Sequence, residues 1–376
     1  MDLTLTEDQE LIASTARDFL EARCPMSHVR GMETDPLGYS PDLWKEMAEL
    51  GWAGMAFPEE HGGFGAGFLE LCLVVEEMGK YLLPSPFLPT VVLCGMAIAE
   101  HGTEEQTTDR LAAIASGDKI MSYARAAPAA GWPTTGSAVT ATPTGEEFVL
   151  SGSAMFVPFA QAADELLVIA QAVDEPDHLT AFLVPAEAVI AEPLDTVGAD
   201  RLHRVSFDNC TVGTARVLGS VGDGQKLMDT VESYGAAATC AAMVGGAQRV
   251  LDMTVRYATQ REQFDTPIGA FQAIQHHCAN MGVDVLGSRL IAYEAIWRLA
   301  EGVDATQEVS MAKAWVSEAY RRVCDLGHQV HGAIGFTREH EMGTYLRHAI
   351  STELSFGDGE HHWGRIADGL GLPEKV

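Results

Sequence analysis

Two histidine pairs, seven cysteines and a scatter of carboxylates and arginines are the residues of this sequence that could do chemistry. The pairs His276-His277 and His361-His362 have no further carboxylate or cysteine at ligand spacing, so no metal centre is expected. Cys24, Cys72, Cys94, Cys210, Cys240, Cys278 and Cys324 are odd in number, widely spaced and form no C-x-x-C. That argues against a disulfide framework or a zinc site and for a reducing cytoplasm. No strand-linked G-x-G-x-x-G and no G-x-x-x-x-G-K-[ST] occurs, so neither a Rossmann nor a P-loop site is indicated. Acid–base work by carboxylates and anion binding by arginines remain, and both depend on what places them.

The elements that must place them fall into three stretches of a 376-residue chain. Residues 1–118 read as helices. Thr6-Glu7-Asp8-Gln9 has capping-box spacing, and Ile12, Ala16, Phe19 and Leu20 follow at a helical period. Residues 41–50 and 69–81 continue the pattern. Residues 119–223 read as β, with strands expected over 148–152, 165–169, 179–184 and 204–207 between Gly, Pro, Asp and Asn turns. Residues 224–376 are helical again, broken at 265–269 and 332–337. This is an α+β chain with segregated elements: an N-terminal helical domain, a middle β-barrel or sandwich domain and a C-terminal four-helix bundle domain.

Composition narrows the partners. Lys+Arg number 24 against 53 Asp+Glu, a net charge of −29, which excludes nucleic acid and an anionic membrane surface. The 47% hydrophobic content excludes an acidic disordered chain. The apolar run at 236–244 is far short of the ~20 residues a membrane span needs. The acidic first residues lack a signal peptide's positive region.

Four motifs in order on this layout resemble the acyl-CoA dehydrogenase family. Pro58-Glu59-Glu60-His61-Gly62-Gly63-Phe64-Gly65 with Glu76-Glu77-Met78-Gly79 is similar to its P-E-E-x-G-G-x-G and E-E-x-G pair. Arg261-Glu262-Gln263-Phe264-Asp265-Thr266-Pro267-Ile268 is similar to R-x-x-F-G-x-x-I, and Phe271-Gln272-Ala273-Ile274-Gln275-His276 follows it. Gln329-Val330-His331-Gly332-Ala333-Ile334-Gly335-Phe336-Thr337 with Tyr345-Leu346-Arg347 is close to Q-x-x-G-G-x-G-[FY]-T and Y-L-R. The resemblance implies FAD, a CoA thioester substrate, α,β-dehydrogenation with electrons passed to an electron-transfer flavoprotein, and an oligomer of two or four subunits.

It also implies site residues. Arg261 would reach the FAD pyrophosphate across a subunit interface, where a guanidinium pairs bidentately with phosphate oxygens. Phe264 would pack near the adenine or ribitol, or else in a plain core. Gln272, Gln329, His331 and Gly332 would line the cofactor, His331 as a packing or hydrogen-bonding residue. The family's base is a desolvated carboxylate near the substrate's α-carbon, commonly the glutamate of Y-E-G-T. Counting back from Arg365 puts Asp358 there, as base or as helix cap, and counting from Phe356 puts Gly357 there. Glu360 is a lesser candidate. Where the base lies on the helix before V-G-x-A-Q-R, the matching position is Gly235, with Glu232 one turn away.

The departures form a pattern. Tyr123-Ala124-Arg125-Ala126-Ala127-Pro128 stands where the family has L-T-E-P, Phe156-Val157-Pro158 where it has W-I-[TS], and Ala333 where it has a second glycine. Eroded flavin-ring and base motifs beside a retained Arg261 resemble one subunit of the bacterial α2β2 heterotetramers that act on steroid side chains. There one subunit type carries the base and the other completes the FAD site. Alternatives are a non-catalytic partner subunit that only completes that site, or a flavin-dependent oxidase or monooxygenase on the same fold. FAD and acyl-CoA are polyanions, so against −29 local cations must hold them: Arg261 first, with Arg249, Arg256, Arg321, Arg322 and Arg347 on the same C-terminal domain.

Overall fold

The computed structural model describes residues 4–125, 137–173, 178–198 and 200–371. Ala126, Ala127 and Pro128 of the altered L-T-E-P stretch lie outside the described residues.

The N-terminal helices are α1 (Glu7–Arg23), α2 (Met26–Met32), α3 (Pro41–Glu49), α4 (Phe68–Lys80), α5 (Met96–His101) and α6 (Glu104–Ala115), with a π-helical stretch at Leu88–Gly95. The expected capping box starts α1: Gln9 N donates to Thr6 Oγ1 at 3.2 Å and Thr6 N to Gln9 Oε1 at 3.0 Å. Two orphan amides of the first turn are thereby satisfied. Ala16 and Leu20 are the residues α1 buries.

The middle stretch is one eight-stranded mixed sheet: β1 (Met121–Ala124), β2 (Val139–Thr144), β3 (Glu147–Pro158), β4 (Glu165–Ala172), β5 (Leu179–Pro185), β6 (Ile190–Pro193), β7 (Leu202–Gly213) and β8 (Val217–Leu218). The order is β6-β7-β3-β2-β4-β5-β8, with β1 parallel to β4. All four expected strands are present, inside β3, β4, β5 and β7. Strand β2 was not expected from its Thr, Ala and Pro content; it forms because Val139 and Ala141 alternate into the core while Thr142 to Thr144 face outward.

Next comes α7 (Gly224–Gln260), then the hairpin β9 (Glu262–Gln263) and β10 (Thr266–Pro267), α8 (Gln272–Ala300), α9 (Thr306–His331), a 3-10 turn at Gly332–Phe336, α10 (Met342–Leu354) and α11 (Gly359–Gly369). The order helices, sheet, helices is the α+β architecture read from the sequence. By compactness the chain forms two units. A helical unit gathers Met1–Arg30, Phe68–Leu83 and Ala236–Val376; a sheet unit gathers Gly31–Gly67 and Pro84–Gly235.

In the helical unit α4 lies so close to α7 that only glycine fits. A Cβ on Gly79 would sit 2.0 Å from the Ala242 carbonyl oxygen, and one on Gly245 would sit 1.9 Å from that of Glu76. The two glutamates beside Gly79 are helix ties. Glu76 accepts from the Tyr293 hydroxyl at 2.7 Å and pairs with Arg289 at 2.6 Å, and Glu77 pairs with Arg17 at 2.8 Å. In the sheet unit Glu165 opens β4 under Arg110 at 2.8 Å and Arg216 at 2.7 Å, and Thr90 Oγ1 donates to the Met121 carbonyl at 2.9 Å.

Gly79→Ala and Gly245→Ala are each expected to lower unfolding free energy by about 1–3 kcal/mol through overpacking. Gly282→Ala, mid-helix in α8 with nothing within 4 Å of its Cβ position, should instead gain about 0.5–1 kcal/mol. Urea unfolding of the three variants checks the contrast.

Candidate functional site

One end of the helical unit collects the residues expected at the cofactor. The last turn of α7 runs into the hairpin: Arg261 N donates to the Tyr257 carbonyl and Ile268 N to the Arg261 carbonyl, both at 2.8 Å. The hairpin turns through Phe264 (φ 56°) and Asp265 (φ 58°), both left-handed. That is the geometry of a two-residue primed turn, where glycine or asparagine is usual. Aspartate tolerates it; phenylalanine is strained there. Phe264 is nonetheless 89% exposed, its ring meeting that of Phe271 edge-on at 6.2 Å between centroids. The Arg261 side chain is exposed and makes no hydrogen bond or ion pair with the described residues. Gln272, the first residue of α8, is exposed.

The C-terminal end of α9 comes to the same place. His331 is buried, its Nδ1 donates to the Gly327 carbonyl at 2.7 Å, and its ring stacks on Tyr257 at 4.5 Å with His340 edge-on at 4.8 Å. Burial lowers its pKa and keeps the ring neutral. Gly332 ends the helix at φ 65°, ψ −141°, a conformation for glycine alone, with open space where a Cβ would be. Gln329 and Ala333 are exposed.

Asp358 lies elsewhere. It caps α11, its Oδ1 accepting from His361 N at 2.9 Å, while its Oδ2 makes no hydrogen bond with the described residues. The turn before it passes through Phe356 (φ 57°) and Gly357 (φ 95°). Lys313 of α9 donates to the Gly357 carbonyl at 3.0 Å, and His362 Nε2 donates to the Phe356 carbonyl at 2.9 Å. Lys313 and Gln329 are sixteen residues apart on one helix, about 24 Å at 1.5 Å per residue. The structure thus brings Arg261, Phe264, Gln272, Gln329, His331 and Gly332 to one end of α9 and leaves Asp358 near the other.

In the sheet unit, Glu232 is ion-paired with buried Arg125. The Tyr123 hydroxyl beside them is buried with no hydrogen-bond partner among the described residues, and its pKa is raised by burial and then by Glu232. Phe156, in the altered W-I-[TS] stretch, has φ 58° and is 56% exposed. Glu360 is exposed.

Sequence reasoning missed Lys313, Tyr257, His340 and the Arg125–Glu232 pair. Lys313 left a signal: it falls on the buried stripe of α9 with Val309, Val316 and Tyr320. Arg125 and Glu232 are 107 residues apart, and nothing local links them. Among the described residues no group of three His, Cys, Asp or Glu could hold a metal, and no helix is long and apolar enough to cross a membrane.

Two family descriptions match the chain: "Acyl-CoA dehydrogenase, N-terminal domain" over residues 6–118 and "Acyl-CoA dehydrogenase, C-terminal domain" over residues 222–371. Acyl-CoA dehydrogenase FadE27 of Mycobacterium tuberculosis is 31% identical over 97% of this chain and 98% of its own. Among solved structures, a chain of the ChsE4-ChsE5 complex from Mycobacterium tuberculosis superposes with a TM-score of 0.90 at 31% identity, covering 100% of both chains. Butyryl-CoA dehydrogenase from Megasphaera elsdenii gives 0.91 at 28% identity, over 98% of this chain and 100% of that one.

His362 gives the site a pH dependence. Burial, and then the Lys313 cation, push its pKa down to about 3. The unfolded imidazole titrates near 6.5, so between those values the unfolded chain holds a proton that the folded chain refuses. Stability from this group is complete above about pH 6.5 and is lost as pH falls toward 3. Between pH 7 and pH 4 the loss is roughly 3 kcal/mol. His362→Gln keeps a donor for the Phe356 carbonyl and removes the titration, so urea unfolding at the two pH values should show a smaller acid loss than wild type.

Proposed function

We propose a reaction for this chain from one premise: it belongs to the acyl-CoA dehydrogenase family. The reaction is FAD-dependent α,β-dehydrogenation of an acyl-CoA thioester, performed as one subunit of a hetero-oligomer, with electrons leaving to an electron-transfer flavoprotein. The observation that carries the assembly is the separation along α9. Lys313, which holds the Asp358 turn through the Gly357 carbonyl, and Gln329 at the cofactor end are about 24 Å apart along α9. That separation supports a cofactor shared between two chains, the hairpin end of one serving the acyl site of the other. A relative at 31% identity is itself part of a complex of two named chains, and the eroded Tyr123-Ala124-Arg125 and Phe156-Val157-Pro158 stretches favour a sister chain over a second copy.

The donor set fits FAD. An exposed guanidinium with no partner among the described residues suits a pyrophosphate, the exposed amides of Gln272 and Gln329 suit its polar edges, and the open space at Gly332 admits a close approach of main chain. Phe264 offers an apolar face. When bound, FAD takes the two electrons of the dehydrogenation. The chain's own part is to hold that group and to remove the substrate's α-proton. Of the two segments where a base is expected, the sheet unit's Glu232 is committed to Arg125, whereas Asp358 keeps one carboxylate oxygen without a hydrogen bond. Asp358 takes the proton on that oxygen while its other oxygen holds the cap. A second reading, in which the sister chain supplies the base and this chain only completes the FAD site, is favoured by the cap itself, since that bond gives Asp358 a full structural role.

Co-purification with a sister chain tests both. The complex should hold FAD and oxidise acyl-CoA, steroid side-chain thioesters being the first to assay. Stoichiometric FAD and turnover in this chain alone would overturn the hetero-oligomer. Arg261→Ala should weaken FAD binding about tenfold to a hundredfold. Asp358→Asn preserves the cap and removes the base, so kcat should fall at least about a hundredfold; full activity would hand the proton to the sister chain.

A further inference from the structure

Lys313 has no solvent exposure. An ammonium at that depth is costly unless each of its N–H groups finds an acceptor. Lys313 finds three: Ser317 Oγ at 3.1 Å, the Glu353 carbonyl at 3.0 Å and the Gly357 carbonyl at 3.0 Å. Ser317 lies one turn along the same helix, but the other two acceptors converge on a single segment. Glu353 is in the last turn of α10, where carbonyls lack helical partners, and Gly357 directly precedes Asp358. His362 closes the segment from α11 through the Phe356 carbonyl. A Cβ on Gly357 would meet the His361 ring at 2.5 Å and the His362 ring at 3.0 Å, so the segment has little room to shift. Burial lowers the Lys313 pKa to about 8, against the pull of Cys240, Glu353 and Asp358, and leaves it charged at neutral pH. A lysine needed for packing alone could be exchanged for an apolar residue of similar volume at little or no cost.

We propose that Lys313 is a positioning residue for the dehydrogenation: by holding the Glu353 and Gly357 carbonyls it fixes the turn from which Asp358 meets the substrate. It touches no substrate and acts through the main chain of Gly357. This rests on the reading of Asp358 as the proton acceptor. A base displaced by about 1 Å can lose a hundredfold in rate, so a main-chain tie is enough to matter.

The experiment uses the complete hetero-oligomer with Lys313→Met, Lys313→Gln and Asp358→Asn. Lys313→Met should keep its FAD and hold KM for acyl-CoA within about threefold while kcat falls tenfold or more. Lys313→Gln, with two N–H donors and no charge, should recover part of that kcat. It should also show faster amide exchange over residues 355–361 with α9 unchanged, a readout that serves if the methionine variant does not fold. Normal kcat in Lys313→Gln with unchanged exchange overturns the proposal, and so does a parallel loss of FAD, KM and kcat in both variants. An active Asp358→Asn complex sinks the reading beneath it instead, so the two failures are distinct.

Discussion

The helical unit depends on one buried carboxylate. Glu76 is 7% exposed, on the α4 face turned to the core, and it takes the Arg289 guanidinium and the Tyr293 hydroxyl, both from α8. Its own main-chain oxygen is what a side chain at Gly245 of α7 would strike. Three helices therefore meet at one residue. Burial pushes the Glu76 pKa up, and Arg289 and Tyr293 work against that. Taking Arg289 away leaves a carboxylate in the core without its counter-charge, which typically costs about 3–5 kcal/mol, and losing the Tyr293 hydroxyl costs about 1–3 kcal/mol. Helix α9 packs on α8, so the position of both its ends, the hairpin side and the Asp358 side, follows from how Glu76 seats α8.

Motifs with local causes were legible in the sequence, and jobs that need distant partners were not. Thr6 with Gln9 is a cap whose parts are three residues apart, and it forms as read. Glu76-Glu77-Met78-Gly79 was visible as a motif, but its purpose was hidden, because Arg289 lies 213 residues away and Arg17 lies 60 away. The strands with apolar runs were read correctly. Strands β1, β6 and β8 are four residues or fewer, too short to show a period. Asp358 stayed between base and cap because a cap exists only once the helix start is known. Lys313 was readable in principle, since a lysine on an apolar helical stripe is a conflict that folding has to resolve.

The net charge of −29 sharpens once pairings are known. Several cations that might have drawn polyanions are spent inside the fold. Arg249 sits 3.6 Å from Glu341, Arg321 3.2 Å from Glu353, and Arg322 2.9 Å from Asp284. Arg110, Arg216 and Lys119 all surround Glu165. Exposed Arg261 keeps its charge for something outside the chain, as does exposed Arg256 four residues along α7 from Asp252. At a Debye length of about 8 Å such near charges outweigh the distant acids. The excess of carboxylates therefore acts less as a repulsive field than as an internal sink, and Arg261 and Arg256 are among the cations it leaves without a partner in the described residues.

The hairpin carries a cost that the chain alone does not recover. Two non-glycine residues held in the left-handed region cost on the order of 1–3 kcal/mol each. One of them is a phenylalanine, 89% exposed, and Phe336 of the neighbouring turn is 75% exposed. Along α8, Val283, Leu286 and Leu290 at i, i+3 and i+7 form a helical stripe left exposed among the described residues. Burying one phenylalanine returns about 1.5–3 kcal/mol, comparable to the strain of a single left-handed residue. Covering that ring therefore offsets about one of the two strained residues, and aspartate, which tolerates the left-handed region, is the cheaper of the two. Whatever covers the Phe264 ring shares in the conformational cost of the hairpin, so its binding and the ordering of the turn should be coupled.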